Sequence, residues 1–200
     1  MEKDTRDKLI EAGTPLFAWK GFSGVSIREV AKMAEVNSAL ISYHFGGKEG
    51  LYAAVLENNL AALLTALEKI NSSCLEPERR IEQFARAVSA LHKQRPFLLR
   101  LLQGEFINPT VCFENIIKPY FKKVVTFLPA AIQEGKTTGR FEPEIHPIYA
   151  AMALSSMVNF YFLVKPLADH ILPQDENRDE EYIRQVLKIY FSGVRRRDDA

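Results

Sequence analysis

The sequence is short of cysteine, of net charge and of strand patterning, and each shortage excludes something. Its two cysteines, Cys74 and Cys112, lie far apart with no CxxC spacing. That leaves no disulfide framework or thiolate metal site, and both read as reduced structural thiols of a cytoplasmic protein. The formal net charge of +1 gives no bulk pull toward nucleic acid or membrane, so a DNA-binding reading has to rest on local arrangement. Apolar–polar alternation never persists for more than a few residues, which leaves no strand to start a sheet. The opening "MEKDTRDKLIEAG" alternates charges and lacks the apolar stretch of a secretory signal. His92, His146 and His170 are scattered, with neither HExxH nor a paired ExxH among them, so no metal site is expected. No nucleophile–base set and no phosphate-cradling glycine loop is present either. An all-α enzyme is therefore the weakest reading, and no cofactor is called for.

Long apolar runs are scarce too. "PIYAAMALSSMVNFYFLVKP", Pro147–Pro166, is apolar around most of its circumference and holds 18 residues between its flanking prolines. That is at the short end for a membrane span. Its central Ser155, Ser156 and Asn159 fit a buried core or interface helix better, and no membrane partner is expected.

What is present is helical. With 47% hydrophobic and 26% charged residues the chain has ample core, and apolar stripes of period 3.6 recur throughout. The spacing predicts an all-α fold of about nine helices. The first, roughly 3–20, sets Leu9, Ile10, Gly13, Leu16 and Phe17 on one face and stops at Gly21. Pro15 has no amide hydrogen for the Glu11 carbonyl and predicts a kink or break near Gly13–Thr14. Ser26 and Glu29 form a capping box opening a short helix, and Asn37 caps a second one, "SALISYHF". Both are too short to stand alone, and Val30, Ala31, Ala34, Val36, Ile41 and Phe45 are available to hold them by packing. A longer helix starts at Lys48. Helices at 77–94, 96–106, 109–134, 145–164 and 176–194 follow, the third of these kinked or split by Pro119 and Pro129. Residues 1–47 read as a small unit, 48–200 as a larger bundle, and the tail Arg195–Asp199 as disordered.

A capped short helix, a turn of three or four residues and a second short helix make the helix-turn-helix pattern. The second helix must project so that its N-terminal side chains enter the major groove, which calls for small or polar residues on its outer face. Asn37, Ser38, Ala39 and Ser42 meet that need, with Leu40 among them. Directly afterwards comes "YHFGGKEGL", a corner that suits an active site, a packing corner or a phosphate grip. Next to this motif the grip accounts for most. The Tyr43 hydroxyl and a His44 ring N–H can donate to phosphate oxygens, and Lys48 adds charge at a helix start that already favours anions. Phe45 is better suited to anchoring the corner by packing.

Residues 8–52, "KLIEAGTPLFAWKGFSGVSIREVAKMAEVNSALISYHFGGKEGLY", resemble the DNA-binding domain of the TetR/AcrR family of transcriptional regulators. The spacing agrees without a gap from "LF" through "GF" to "YHFGGKEGL". The resemblance implies a recognition helix at about 38–44, with Ser26, Tyr43, His44 and Lys48 on the DNA backbone. It also implies a ligand-responsive repressor on a palindromic double-stranded operator, working as a homodimer through its last two helices. Three residues depart from the family pattern. Glu35 stands at the turn where glycine is usual, which puts a left-handed non-glycine residue there or changes the turn. Ser42 replaces an aromatic and Leu40 a small hydroxyl residue, so base preferences do not transfer.

In the larger bundle, a small apolar or amphipathic effector is expected between helices, with Phe97, Arg100, Phe106, Phe113, Phe121 and Phe160 as pocket residues. The last helix carries an apolar face broader than one bundle contact needs. Together with the helix before it, this predicts a dimer interface of Ala151, Leu154, Ile183, Leu187, Tyr190 and Phe191. The alternative is a ligand-independent architectural or division-control DNA-binding protein on the same scaffold, which a fully packed larger domain would favour.

Overall fold

The structure is a computed structural model and describes residues 4–171, 175 and 177–196. It contains α1 Thr5–Lys20, α2 Ile27–Met33, α3 Ala39–Phe45, α4 Lys48–Asn71, α5 Pro77–Gln94, α6 Leu98–Ile107, α7 Lys118–Thr137, α8 Pro147–Leu163, α9 Lys165–Ile171 and α10 Arg178–Val194. A π-helical turn, Phe113–Ile117, leads into α7. Among the described residues the β-pairing is a single isolated bridge between Phe141 and Arg195. The all-α expectation holds, with one helix more than the pattern predicted.

The prolines explain the differences. α1 runs unbroken through Pro15, where the Thr14 hydroxyl donates to the Ile10 carbonyl at 2.7 Å. The expected break does not occur, because Leu9, Ile10, Gly13 and Phe17 on either side of Pro15 are all buried. Pro129 likewise lies inside α7. Pro119 falls in the first turn of α7, where a missing N–H is tolerated. Just before it the ladder is wound as a π-turn, Lys118 N–H donating to the Phe113 carbonyl. Pro166 creates the additional helix: α8 ends at Leu163 and α9 departs from it at a 70° bend. α4 is long and apolar enough to cross a membrane, as α8 and α9 would be together, but half of the α4 window is buried inside the fold.

Packing divides the chain into two compact units, one holding the chain through Ala62 together with Arg95–Tyr120, the other Leu63–Gln94 and the chain from Phe121 onward. These do not coincide with the predicted division at 47/48. Leu51, Tyr52, Val55 and Leu56 at the start of α4 are buried, and α6 packs on α1, so both belong with the helix-turn-helix.

In the second unit α5, α8 and α10 pack pairwise on one another. The residues of the predicted dimer interface take part in this packing within the single chain. Leu154 (0% exposed), Ile183 (1%) and Leu187 (6%) are core residues of the single chain, and Ala151 and Tyr190 are buried with them. Phe191 is half-buried, its ring beneath the Arg195 guanidinium at 4.8 Å. The face of α10 is broad because it covers two helices of its own chain. The large apolar side chains left exposed are others: Ile148, Tyr149, Met152, Phe160 and Leu163 along α8, and Ile189 on α10.

The same core contains two polar clusters. Asp179 accepts the Tyr161 hydroxyl at 2.7 Å and the Lys165 ammonium at 2.7 and 2.8 Å. Burial opposes its ionisation, but Lys165 and Tyr161 outweigh this and hold the carboxyl below the usual range. His92, buried between α5 and α8, hydrogen-bonds Asn159 at 2.8 Å. Burial pushes its pKa down from the ordinary value, which is about 6.5. A base whose folded pKa is depressed contributes stability that is complete above the unfolded value and lost as pH falls through the folded one. Thermal melts are therefore expected to weaken from pH 7 toward pH 5. His92→Gln keeps a donor toward Asn159 and should flatten that loss; an identical pH dependence in the variant would contradict the assignment.

The predicted disordered tail begins as ordered chain. Arg195 bridges to Phe141, and Arg196 N–H donates to the Arg140 carbonyl at 3.0 Å. Residues 197–199 lie outside the described residues.

Candidate nucleic-acid interface

The motif is built by its caps. Ser26 Oγ accepts the Glu29 N–H at 3.2 Å, opening α2. The Glu29 carboxylate pairs with Lys20. The Lys20 ammonium holds it below the usual carboxylate range despite partial burial, with the Ser26 backbone N–H adding to the effect. The capping box is thus shared with the last turn of α1. At the turn, Glu35 has φ 55°, the one positive-φ non-glycine among the described residues. The turn keeps its left-handed geometry without glycine, at about 1 kcal/mol. Val36 N–H then closes on the Ala31 carbonyl at 3.0 Å. Asn37 Oδ1 accepts the Ala39 N–H at 2.9 Å and starts α3. Val30, Ala31 and Ile41 are buried and hold the two short helices, while Ala34, Val36 and Phe45 are half-buried.

Asn37, Ala39, Ser42 and Tyr43 are exposed along α3 and its start, whereas Ser38, Leu40 and His44 are half-buried. Tyr43 is 81% exposed, so its ring does not pack the corner; it meets His44 edge-on at 5.0 Å. Phe45 is the anchor, with the Arg6 guanidinium 5.4 Å from its ring centroid. Gly46, at φ 75°, ends α3 by donating its N–H to the Ser42 carbonyl at 3.0 Å. Gly50 lets the chain turn back closely: a Cβ there would stand 1.8 Å from the Phe45 carbonyl oxygen. Lys48 opens α4. Its ammonium lies 4.5 Å from the Phe22 ring centroid and 3.5 Å from the Ser23 carbonyl, contacts that use only part of its three donors and leave the rest for a phosphate.

None of the six predicted pocket residues lines the cavity or the groove found among the described residues. Arg100 stacks its guanidinium on Trp19 at 3.7 Å. Phe106 is 53% exposed and meets Phe113 edge-on at 6.3 Å, and Phe160 is 60% exposed. Phe97, Phe113 and Phe121 are half-buried. A cavity of about 790 Å³ lies instead among α1, α4 and α6, walled by Phe17, Phe22, Tyr52, Leu101, Glu105 and Thr110. A groove of about 360 Å³ between α4 and α7 is lined by Leu64, Leu67, Lys123, Thr126 and Phe127. Among the described residues no group of three or more His, Cys, Asp or Glu is placed to hold a metal ion.

Sequence reasoning missed Glu105 and Tyr52. Glu105 is completely buried. It accepts the Thr110 N–H at 3.3 Å, the Thr110 hydroxyl at 3.0 Å and the Tyr52 hydroxyl. Burial first, and then the Glu105 charge, raise the Tyr52 pKa far above its ordinary value. The signal was present: Leu98, Leu101, Leu102 and Glu105 fall at i, i+3, i+4 and i+7, so the carboxylate shares the buried stripe of α6.

Residues 9–55 match the family described as bacterial regulatory proteins, tetR family. The chain is 34% identical to "Probable HTH-type transcriptional regulator YttP" of Bacillus subtilis, covering 98% of this chain and 92% of that one. It is 26% identical to the HTH-type transcriptional repressor NicS of Pseudomonas putida, covering 96% and 93%. In three dimensions it superposes on AibR, solved in complex with isovaleryl coenzyme A and operator DNA, with a TM-score of 0.76 at 19% identity, covering 95% of this chain and all of that one.

Proposed function

The chain belongs to the tetR family of bacterial regulatory proteins, whose members here are transcriptional regulators and not enzymes, and from that premise we propose a cytoplasmic homodimeric repressor that binds a palindromic operator and is released by a small effector. One observation carries the reading: α3 presents a short exposed face of small and polar residues, and the Tyr43–Lys48 corner follows it at once. Ser38, Ala39 and Leu40 read base edges, with Asn37 and Ser42 beside them. Ser26, Tyr43, His44 and Lys48 hold the phosphates and set the helix in its groove. A second copy packs on the stripe of Tyr149, Met152, Phe160 and Leu163, which spaces two α3 helices for successive major grooves. AibR was solved with isovaleryl coenzyme A as well as operator DNA. By analogy an effector binds among the helices here, and it releases DNA by favouring a dimer with the wrong spacing. The ligand-independent architectural alternative expects a fully packed larger domain, and the open groove between α4 and α7 favours the effector reading over it.

Selection of duplexes from a random pool by the full chain tests this. An inverted repeat with half-sites about one helical turn apart, ~34–36 Å, or a multiple of it, is expected. Recovery of no motif, or of a single unrepeated one, would overturn the dimeric operator.

A further inference from the structure

We infer that Glu105 and Tyr52 are positioning residues for DNA binding, which act from α6 and α4 by fixing where the Lys48 ammonium stands. The inference rests on the proposed phosphate contact of Lys48. A lysine ammonium is a point charge on a flexible stem, so its usefulness to a phosphate depends on what holds it. Here the hold is the Phe22 ring, 4.5 Å from the ammonium, and the Ser23 carbonyl beside it. Phe22 lies in the loop after α1, and its ring is set by two others: Tyr52 at 5.2 Å and Phe17 at 6.3 Å. Tyr52 is itself fixed at both ends. Its ring packs on Phe17 at 4.9 Å, and its hydroxyl donates to Glu105.

Glu105 makes that second attachment stiff. Its carboxylate is wholly buried, and its donors are the Tyr52 hydroxyl and the two groups of Thr110, all neutral. A buried carboxylate must keep its donors, because water cannot replace them. Tyr52 therefore cannot swing without removing one of the three donors that compensate a buried charge. The side chains Thr110, Glu105, Tyr52, Phe22 and Lys48 form one ladder from the loop after α6 to the DNA-facing corner. A displacement of α6 changes the placement of a phosphate contact two helices earlier in the chain.

The test separates positioning from simple support of the fold. Tyr52→Phe keeps the ring and its aromatic neighbours and removes only the hydroxyl; Glu105→Gln keeps the shape and removes the charge. Binding of the full chain to a duplex it selects is measured by fluorescence anisotropy over a range of salt, with Lys48→Ala and the double variant Tyr52→Phe/Lys48→Ala beside them. Circular dichroism confirms that each is folded. Lys48→Ala should flatten the slope of log K against log salt by about 0.9 per half-site. Tyr52→Phe and Glu105→Gln should flatten it in the same sense, and adding Tyr52→Phe to Lys48→Ala should change nothing further. Weaker binding at the wild-type slope, or losses that add in the double variant, would overturn the inference while leaving the phosphate grip in place. An unchanged slope for Lys48→Ala would overturn the grip itself, and the inference with it. If Tyr52→Phe fails to fold, Glu105→Gln and its double variant with Lys48→Ala decide by the same slopes.

Discussion

Leu187→Glu is expected to unfold the α5–α8–α10 packing of the single chain, not to separate two folded subunits. Leu187 is 6% exposed in a core with Leu154, Val158 and Ile183. A carboxylate placed there without a partner costs several kcal/mol, a large share of the ~5–15 kcal/mol that stabilises an ordinary domain. The melting temperature should fall by about 10 °C or more, with loss of helical circular dichroism. A variant that melts like the wild type but sediments as a monomer would put Leu187 back at a subunit contact.

Met152→Glu should do the reverse. Met152 is 60% exposed on α8, so a charge there costs the isolated chain little. Between two copies it would be desolvated without a partner, at a cost of several kcal/mol to association. Sedimentation should show a folded monomer with native helical circular dichroism, and operator binding should be lost, because one recognition helix alone makes too few contacts. A Met152→Glu protein that stays dimeric and binds its operator normally would take the α8 stripe out of the interface.

The contrast between these two residues shows what the sequence could and could not disclose. Local chemistry was legible. The Ser26 cap, the Asn37 cap, the left-handed Glu35 and the glycine corner at Gly46 all appear where the residues predict them, because each is decided within a few positions of chain. Helix periods were legible for the same reason. What periodicity cannot say is which neighbour a face meets. The apolar stripe of α10 looked too broad for one contact, and it is, but both of its contacts are internal. The outward side of α8 was hidden because that helix is apolar nearly all round, so the sequence does not distinguish its inner residues Ala151 and Leu154 from its outer residues Met152 and Phe160. Cavities were hidden for a related reason. Phe97, Phe106 and Phe160 are large and apolar, yet a void depends on how helices distant in sequence diverge, and the walls at Tyr52 and Glu105 come from α4 and α6. Pro15 misled because a proline's cost is read locally, whereas the buried face that keeps α1 continuous belongs to the packed unit.

The central claim is that α3 reads base sequence while the corner after it holds the backbone. It is tested most directly by repeating the duplex selection with Ala39→Asn. Ala39 is exposed at the N-terminal end of α3, and an asparagine there offers the paired donor and acceptor that adenine presents in the major groove. The account predicts a selected half-site altered at one or two adjacent base pairs, with the remaining positions and the half-site spacing unchanged. Discrimination at the altered position should be ~1–3 kcal/mol. The same motif selected with the same affinity by both proteins would contradict it, and α3 would not be the recognition helix.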